Sequence, residues 1–192
     1  MSGKIILASG SPRRRELLEM FGIEDLAIIP AKGEERPHPE LAPDALVTEL
    51  ARCKALEVSA QAGPEDVVIA ADTVVVLDGS VLGKPRDEAD AARMLRSLSG
   101  RSHSVFTGLC VLRGEQVLSH AEESRVWFRT LGEDEIARYI ATGEPMDKAG
   151  AYGAQGIASV FVERLEGDFF NVMGLPLCAL GKLLKPLGVD LL

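Results

Sequence analysis

Val67–Val68–Ile69–Ala70–Ala71–Asp72–Thr73–Val74–Val75–Val76–Leu77 is an apolar, β-branched run broken by one carboxylate and one hydroxyl. Its length and composition predict a buried strand. Asp78–Gly79 follows, the dipeptide of a tight hairpin, and Val81–Leu82 begins the return strand before Gly83–Lys84–Pro85 breaks it. Asp72 is the residue that stands out. A carboxylate inside such a run is costly unless it is paired, metal-bound or partly wet. The plain alternative is a satisfied turn aspartate, but strand residues continue after it. An Asp so placed suits work as a general base or metal ligand.

Outward from this strand, helices and strands are intermingled. Lys4–Ala8 reads as a strand, followed by Ser9–Gly10 and a helix with Ser11 at its N-cap, Pro12 at the first helical position and Gly22 as its stop. Ala31 to Pro43 reads as a loop. Asp44 is expected to cap a second helix to about Gln61 with Leu46, Val47, Leu50 and Leu56 toward the core. Asp87 caps a third helix ending near Leu98. Ser102–Leu112 and Ser124–Phe128 read as strands, and Glu133–Ala141 as a helix closed by Thr142–Gly143. Glu144 to Gly156 is a Gly-rich polar loop. Ser159–Arg164 and Phe169–Val172 suggest a hairpin about Glu166–Gly167–Asp168, and Pro176 opens a last helix to about Leu187. The pattern predicts an α/β fold: a mixed twisted sheet flanked by helices. A single domain over residues 1–192 is expected, with any division into two lobes at the loops around Gly83 and Gly143.

Composition narrows the function. The 192 residues carry a formal net charge of −8, with one Trp and two Tyr. Polymeric nucleic acid is a poor partner for such a chain, which lacks both a basic excess and aromatic stacking platforms. A small anion remains open, because a few cations can reverse the field within one site. The three cysteines, Cys53, Cys110 and Cys178, have no CxxC spacing and read as small buried apolar side chains in a reducing cytoplasm. No stretch is long and apolar enough for a signal peptide or membrane span, so a soluble cytoplasmic protein is expected. His38, His103 and His120 show no ligand spacing, and Walker, GxGxxG, HExxH and GxSxG motifs are all absent.

Three further stretches carry chemistry. Ser9–Gly10–Ser11–Pro12–Arg13–Arg14–Arg15 delivers a short loop into a helix N-terminus, where free N–H groups and the dipole attract anions. Arginines there oppose the dipole and so call for a reason; bidentate phosphate binding is one. Lys84 on its loop and Lys54 on the second helix could reach phosphate oxygens, although a lone lysine is more often just solvated. Glu34–Glu35 offers a carboxylate to Mg²⁺ or Mn²⁺, which keep several waters and take only one or two protein carboxylates. Gln155, between glycines of the loop Lys148 to Gly156, could hydrogen-bond a base edge, where the bland reading is an ordinary loop.

Together LASGSPRRRELL (7–18), GEE (33–35), ARCKA (51–55), AADTVV (70–75), LGKPRD (82–87), MLRSLSG (94–100), GEPMDKAGAYGAQG (143–156) and NVMGLPL (171–177) resemble the Maf family of nucleotide pyrophosphatases. The pieces run in family order across nearly the whole chain. The resemblance implies a two-lobed fold similar to that of inosine triphosphate pyrophosphatases, with the substrate between the lobes. It implies hydrolysis of a nucleoside triphosphate to the monophosphate and pyrophosphate with a divalent cation (Mg, Mn or Co), a housekeeping removal of non-standard or excess nucleotides, and a homodimer. By position, Asp72 matches the family's proton acceptor, and Ser9, Arg13, Arg14, Lys54 and Lys84 its phosphate-binding residues. Glu35 matches the acidic residue assigned to the metal, and Arg13, Thr73 and Gln155 match positions linked to substrate choice. Lys148, Tyr152 and Gln155 resemble the branch that prefers dTTP and UTP. Maf-type proteins have also been associated with septum formation, so a nucleotide-binding regulator without useful turnover is the rival from another class.

Overall fold

The computed structural model describes residues 3–23, 25–33 and 40–192. Its strands are β1 (Ile5–Leu7), β2 (Leu26–Ile28), β3 (Val67–Leu77), β4 (Ser80–Leu82), β5 (Ser102–Arg113), β6 (Gln116–Phe128) and β7 (Val162–Glu166). Its α-helices are α1 (Pro12–Glu19), α2 (Pro43–Ser59), α3 (Glu88–Leu98), α4 (Glu133–Ala141), α5 (Phe169–Met173) and α6 (Leu177–Leu184). The strands form one mixed sheet in the order β2-β1-β3-β5-β6-β7, with β4 paired to β3. The expected α/β class with a mixed sheet is what the chain adopts.

The chain divides into two compact units. The first contains residues 3–23, 25–33, 40–72, 107–122 and 174–192; the second contains 73–106 and 123–173. Three of the four divisions fall inside β3, β5 and β6 and the fourth follows α5; none falls at the loops around Gly83 and Gly143, both of which lie within the second unit. Long strands make such divisions hard to see in a sequence, because no linker composition marks them.

In the first unit, β1 pairs in parallel with β2 and with the start of β3, in the register Leu7↔Ile28 and Leu7↔Ile69. Against these strands α2 buries Val47, Ala51, Ala55 and Val58. This corrects the expected face: Leu56 is exposed, and Leu46 and Leu50 are only half-buried. Small residues win because the helix sits very close to the sheet. A Cβ added at Gly108 of β5 would lie 2.2 Å from the Val47 carbonyl oxygen, so only glycine fits. The helix is capped by Ala42 with Pro43 at its start, which leaves Asp44 inside the first turn instead of at the cap. Of the cysteines only Cys110 is buried; Cys53 and Cys178 are exposed.

The core of the second unit joins Val75, Leu77 and Val105 to Met94, Leu95 and Leu98 of α3, Ile136, Tyr139 and Ile140 of α4, and a set of aromatic side chains. The Asp87 side chain accepts the Asp90 N–H at 2.7 Å, the N-cap expected for α3. Asp78 (φ 50°) and Gly79 (φ 75°) both take positive φ, as a type I′ hairpin requires.

Two readings fail here. β6 starts at Gln116, well before Ser124; its early residues are largely exposed, and pairing in the sheet forms the strand where apolar patterning is weak. Phe169–Met173 is a helix, not the return arm of a hairpin, and β7 pairs antiparallel with β6 instead. The Asp168 carboxylate accepts the Phe170 N–H at 2.7 Å, and Asn171 is fully buried, donating to the Val105 carbonyl (3.0 Å) and Ser124 Oγ (2.9 Å). These bonds fix a helical turn that two adjacent phenylalanines disguise as strand.

Candidate active site

Ser9 and Asp72 both stand beyond the carboxyl ends of paired parallel stretches, since Leu7 of β1 is in register with Ile69 of β3. Ligands of open α/β sheets collect at this end of the strands. Asp72 is 8% exposed, and its carboxylate forms an ion pair with Lys54 Nζ. The pairing follows from helical spacing. Val47, Ala51, Lys54 and Val58 fall on one face of α2 at i, i+4, i+7 and i+11, so a lysine occupies the stripe that packs on the sheet. That is the signal which lifts Lys54 above an ordinary solvated lysine. The opposite charge compensates the burial of Asp72.

The Ser9 side of the site is equally built. Ser9 is 8% exposed, and its Oγ accepts the Ser11 N–H (3.2 Å) and Arg14 Nη1–H (3.1 Å). Arg14 Nε also donates to the Gly174 carbonyl at 2.8 Å, which ties α1 to the chain just before α6. Ser11 occupies the N-cap, but its side chain makes no capping bond, and its own N–H donates to Ser9 Oγ. Arg13 is half-buried on α1, whereas Arg15 is exposed and pairs with Glu19 one turn on. The first unit therefore brings together Asp72 with Lys54 and Ser9 with Arg14. Gly174 falls inside the NVMGLPL stretch, but a role for its backbone carbonyl cannot be read from the residue type.

In the second unit Thr73 is half-buried on β3, and Lys84 and Gln155 are exposed. The loops carrying Lys84 and Gln155 are joined by the Gly150 N–H, which donates to the Gly83 carbonyl at 3.0 Å. The loop after α4 is more ordered than its composition suggests. It includes 3-10 turns at Glu144–Asp147 and Ala149–Ala151, and Ala151, Tyr152 and Ala154 are buried. Lys148 Nζ donates to the Glu144 carbonyl and to Asp147, each at 2.6 Å.

Tyr152 forms the floor of this loop. Its hydroxyl hydrogen-bonds His103 Nε2 at 2.7 Å, and both rings stand edge-on to Phe128. His103 is 3% exposed, and burial holds its imidazole down at about 4. Burial likewise raises the Tyr139 and Tyr152 hydroxyls well above their usual value, and the Glu144 carboxylate adds to the rise at Tyr139. A depressed histidine contributes stability that is complete above its unfolded value near 6.5 and is lost as pH falls toward 4. We expect roughly 2 kcal/mol of stability to disappear between neutral pH and about pH 5 from this group alone. Urea unfolding at the two pH values measures it, and His103→Phe should flatten that part of the slope; an unchanged slope would show that His103 is not its source.

Glu35, expected at the metal, lies outside the described residues, as does Glu34. Among the described residues no three His, Cys, Asp or Glu side chains gather as a metal cage. A hard cation of the Mg²⁺ type needs no such cage, because it takes one or two carboxylates and draws its remaining ligands from phosphate and water. No helix among the described residues is long and apolar enough to cross a membrane.

Comparison with known proteins matches the sequence of this chain to a family. The family model described as Maf-like protein matches residues 4–187. A dTTP/UTP pyrophosphatase of Moorella thermoacetica is 50% identical over 191 residues, covering 97% of this chain and 96% of the relative. One of Thermococcus gammatolerans is 49% identical over 188 residues, covering 98% of each chain. One of Caldicellulosiruptor saccharolyticus is 45% identical over 194 residues, covering 98% of this chain and 97% of the relative.

Proposed function

This chain belongs to the Maf-like protein family, and from that membership we propose that it hydrolyses dTTP and UTP to the monophosphate and pyrophosphate. The observation that carries the chemistry is the buried Asp72–Lys54 ion pair at the carboxyl end of the parallel strands. Near-full-length relatives that share the activity name support the substrate class.

The residues then have the following roles. Ser9, Arg13, Arg14, Lys54 and Lys84 bind the triphosphate; guanidinium forks suit pairs of phosphate oxygens, and ammonium groups act as point charges. An incoming phosphate competes with Asp72 for the Lys54 ammonium, which turns the carboxylate toward a water molecule. Asp72 accepts the proton of that water as its oxygen forms a bond to phosphorus in line with the departing oxygen. The bond between the α-phosphorus and the bridging oxygen breaks, and pyrophosphate leaves with the electron pair. No covalent enzyme intermediate is needed. A divalent cation (Mg, Mn or Co), placed at Glu35 and the phosphate oxygens, would neutralise charge that develops on them. Arg13, Thr73 and Gln155 set substrate choice. Removal of non-standard or excess nucleotides is the physiological role this activity suits.

Product analysis with dTTP tests the proposal. We expect dTMP and pyrophosphate in equal amounts, loss of turnover with chelator, and recovery on adding back Mg²⁺ or Mn²⁺. dTDP and free phosphate as products would overturn the cleavage position, and chelator-resistant turnover would remove the metal.

A further inference from the structure

Glu144 has no part in the chemistry above, yet its carboxylate ties both ends of the loop that carries Gln155. Its Oε1 accepts the Tyr139 hydroxyl at 2.9 Å, and its Oε2 accepts the Ile157 N–H at 2.9 Å. The Ala158 N–H points to Oε1 at 3.5 Å. The Tyr139 oxygen in turn accepts the Gly153 N–H at 3.2 Å, and the Glu144 carbonyl accepts Lys148 Nζ. Positions on both sides of Gln155 thus converge on the last turn of α4 and the residue shortly after it. Close approach makes the wrapping possible: a Cβ at Gly156 would lie 2.5 Å from Glu144 Oε1. Gly156, expected to bring backbone near a ligand, brings it onto Glu144. Between Tyr152 and Gly156 there is no helix or strand; Gln155 stands in a turn closed by the Gly156 N–H on the Gly153 carbonyl at 3.0 Å, and the Tyr139 and Glu144 bonds anchor the two ends of that turn.

We propose that Glu144, with Tyr139, is a positioning residue for base discrimination, holding Gln155 where its amide meets the Watson–Crick edge of uracil or thymine. The inference rests on the reading of Gln155 as a specificity residue. Uracil presents an N–H donor between two carbonyl acceptors, whereas cytosine presents an acceptor beside an amino group. A carboxamide carries one of each kind of group and can pair with either edge if it is free to shift and turn. Discrimination therefore requires a fixed backbone beneath it, and the Glu144 clamp supplies one. The ratio of kcat/KM for UTP to that for CTP isolates this effect, since sugar and phosphate contacts cancel.

We expect Glu144→Gln to lower that ratio about fivefold or more, the factor for one ordinary hydrogen bond, with kcat for UTP nearly unchanged. Tyr139→Phe, which keeps the ring in the core but removes the hydroxyl, should shift the ratio in the same direction and serves if Glu144→Gln fails to fold. Gln155→Ala should lower the ratio too, and adding Glu144→Gln to it should change the ratio no further, because both act through one contact. A ratio unchanged in Glu144→Gln and Tyr139→Phe but lowered in Gln155→Ala overturns the inference and leaves Gln155 in place. Additive losses in the double variant also overturn it. A ratio unchanged in Gln155→Ala removes Gln155 from base reading and the inference with it.

Discussion

Asp72→Asn lowers kcat for dTTP by about 10²–10⁴-fold, the usual span for loss of a general base, while the protein unfolds close to its wild-type temperature. The two parts of the expectation have separate causes. Asparagine has the size of aspartate and keeps an oxygen that can accept a hydrogen bond from Lys54, so the packing at the end of β3 survives. It cannot take a proton from water. Stopped-flow or steady-state turnover at saturating dTTP, together with a thermal melt, measures both. Turnover within a few-fold of wild type would remove Asp72 from the role of base, whatever else it binds.

Gly108→Ala has the largest expected effect on stability. The added methyl would lie 2.2 Å from the Val47 carbonyl oxygen and 2.6 Å from the Thr48 nitrogen, so backbone itself must move. Overpacking of this kind costs about 3 kcal/mol or more when no flexible side chain can yield. For a chain of this size that corresponds to a fall in melting temperature of roughly 6–12 °C. The displaced element is α2, which carries Lys54, so activity should fall along with stability. A melt within about 2 °C of wild type would show that α2 shifts at little cost, against the close packing described here.

These two residues also show what a sequence can and cannot disclose. Asp72 was legible because a carboxylate in an eleven-residue apolar strand violates a strong pattern, and the violation marks the site. The hairpin at Asp78–Gly79 and the cap at Asp87 were legible because each depends on local chemistry alone. The buried face of α2 was not. Larger aliphatic residues point the wrong way there, and the choice of alanines is made by the approach of β5 at Gly108, far away in sequence. Phe169–Met173 was misread for a related reason: its helical turn is enforced by Asn171 reaching Val105 and Ser124. The Glu144–Gly156 loop looked like a ligand cradle because glycines signal close approach, but not what approaches.

The candidate site divides in the same way. Ser9, Arg14, Lys54 and Asp72 could be proposed by motif, but only coordinates show that Ser9 and Arg14 bond to each other and that Lys54 and Asp72 form an ion pair. Gly174 and Glu144 fall inside the stretches NVMGLPL and GEPMDKAGAYGAQG, but their roles cannot be read there, since one acts through its backbone carbonyl and the other through bonds that form only in the folded loop.

Pyrophosphate release from a panel of nucleoside triphosphates, purine and pyrimidine, with Mg²⁺ or Mn²⁺ and with chelator, shows whether the protein is a metal-dependent pyrimidine triphosphate pyrophosphatase. We expect metal-dependent release that is strongest with dTTP and UTP. Purine preference would keep the reaction and contradict the assignment of Gln155, and no release from any substrate by a protein that still binds them would contradict the enzyme itself.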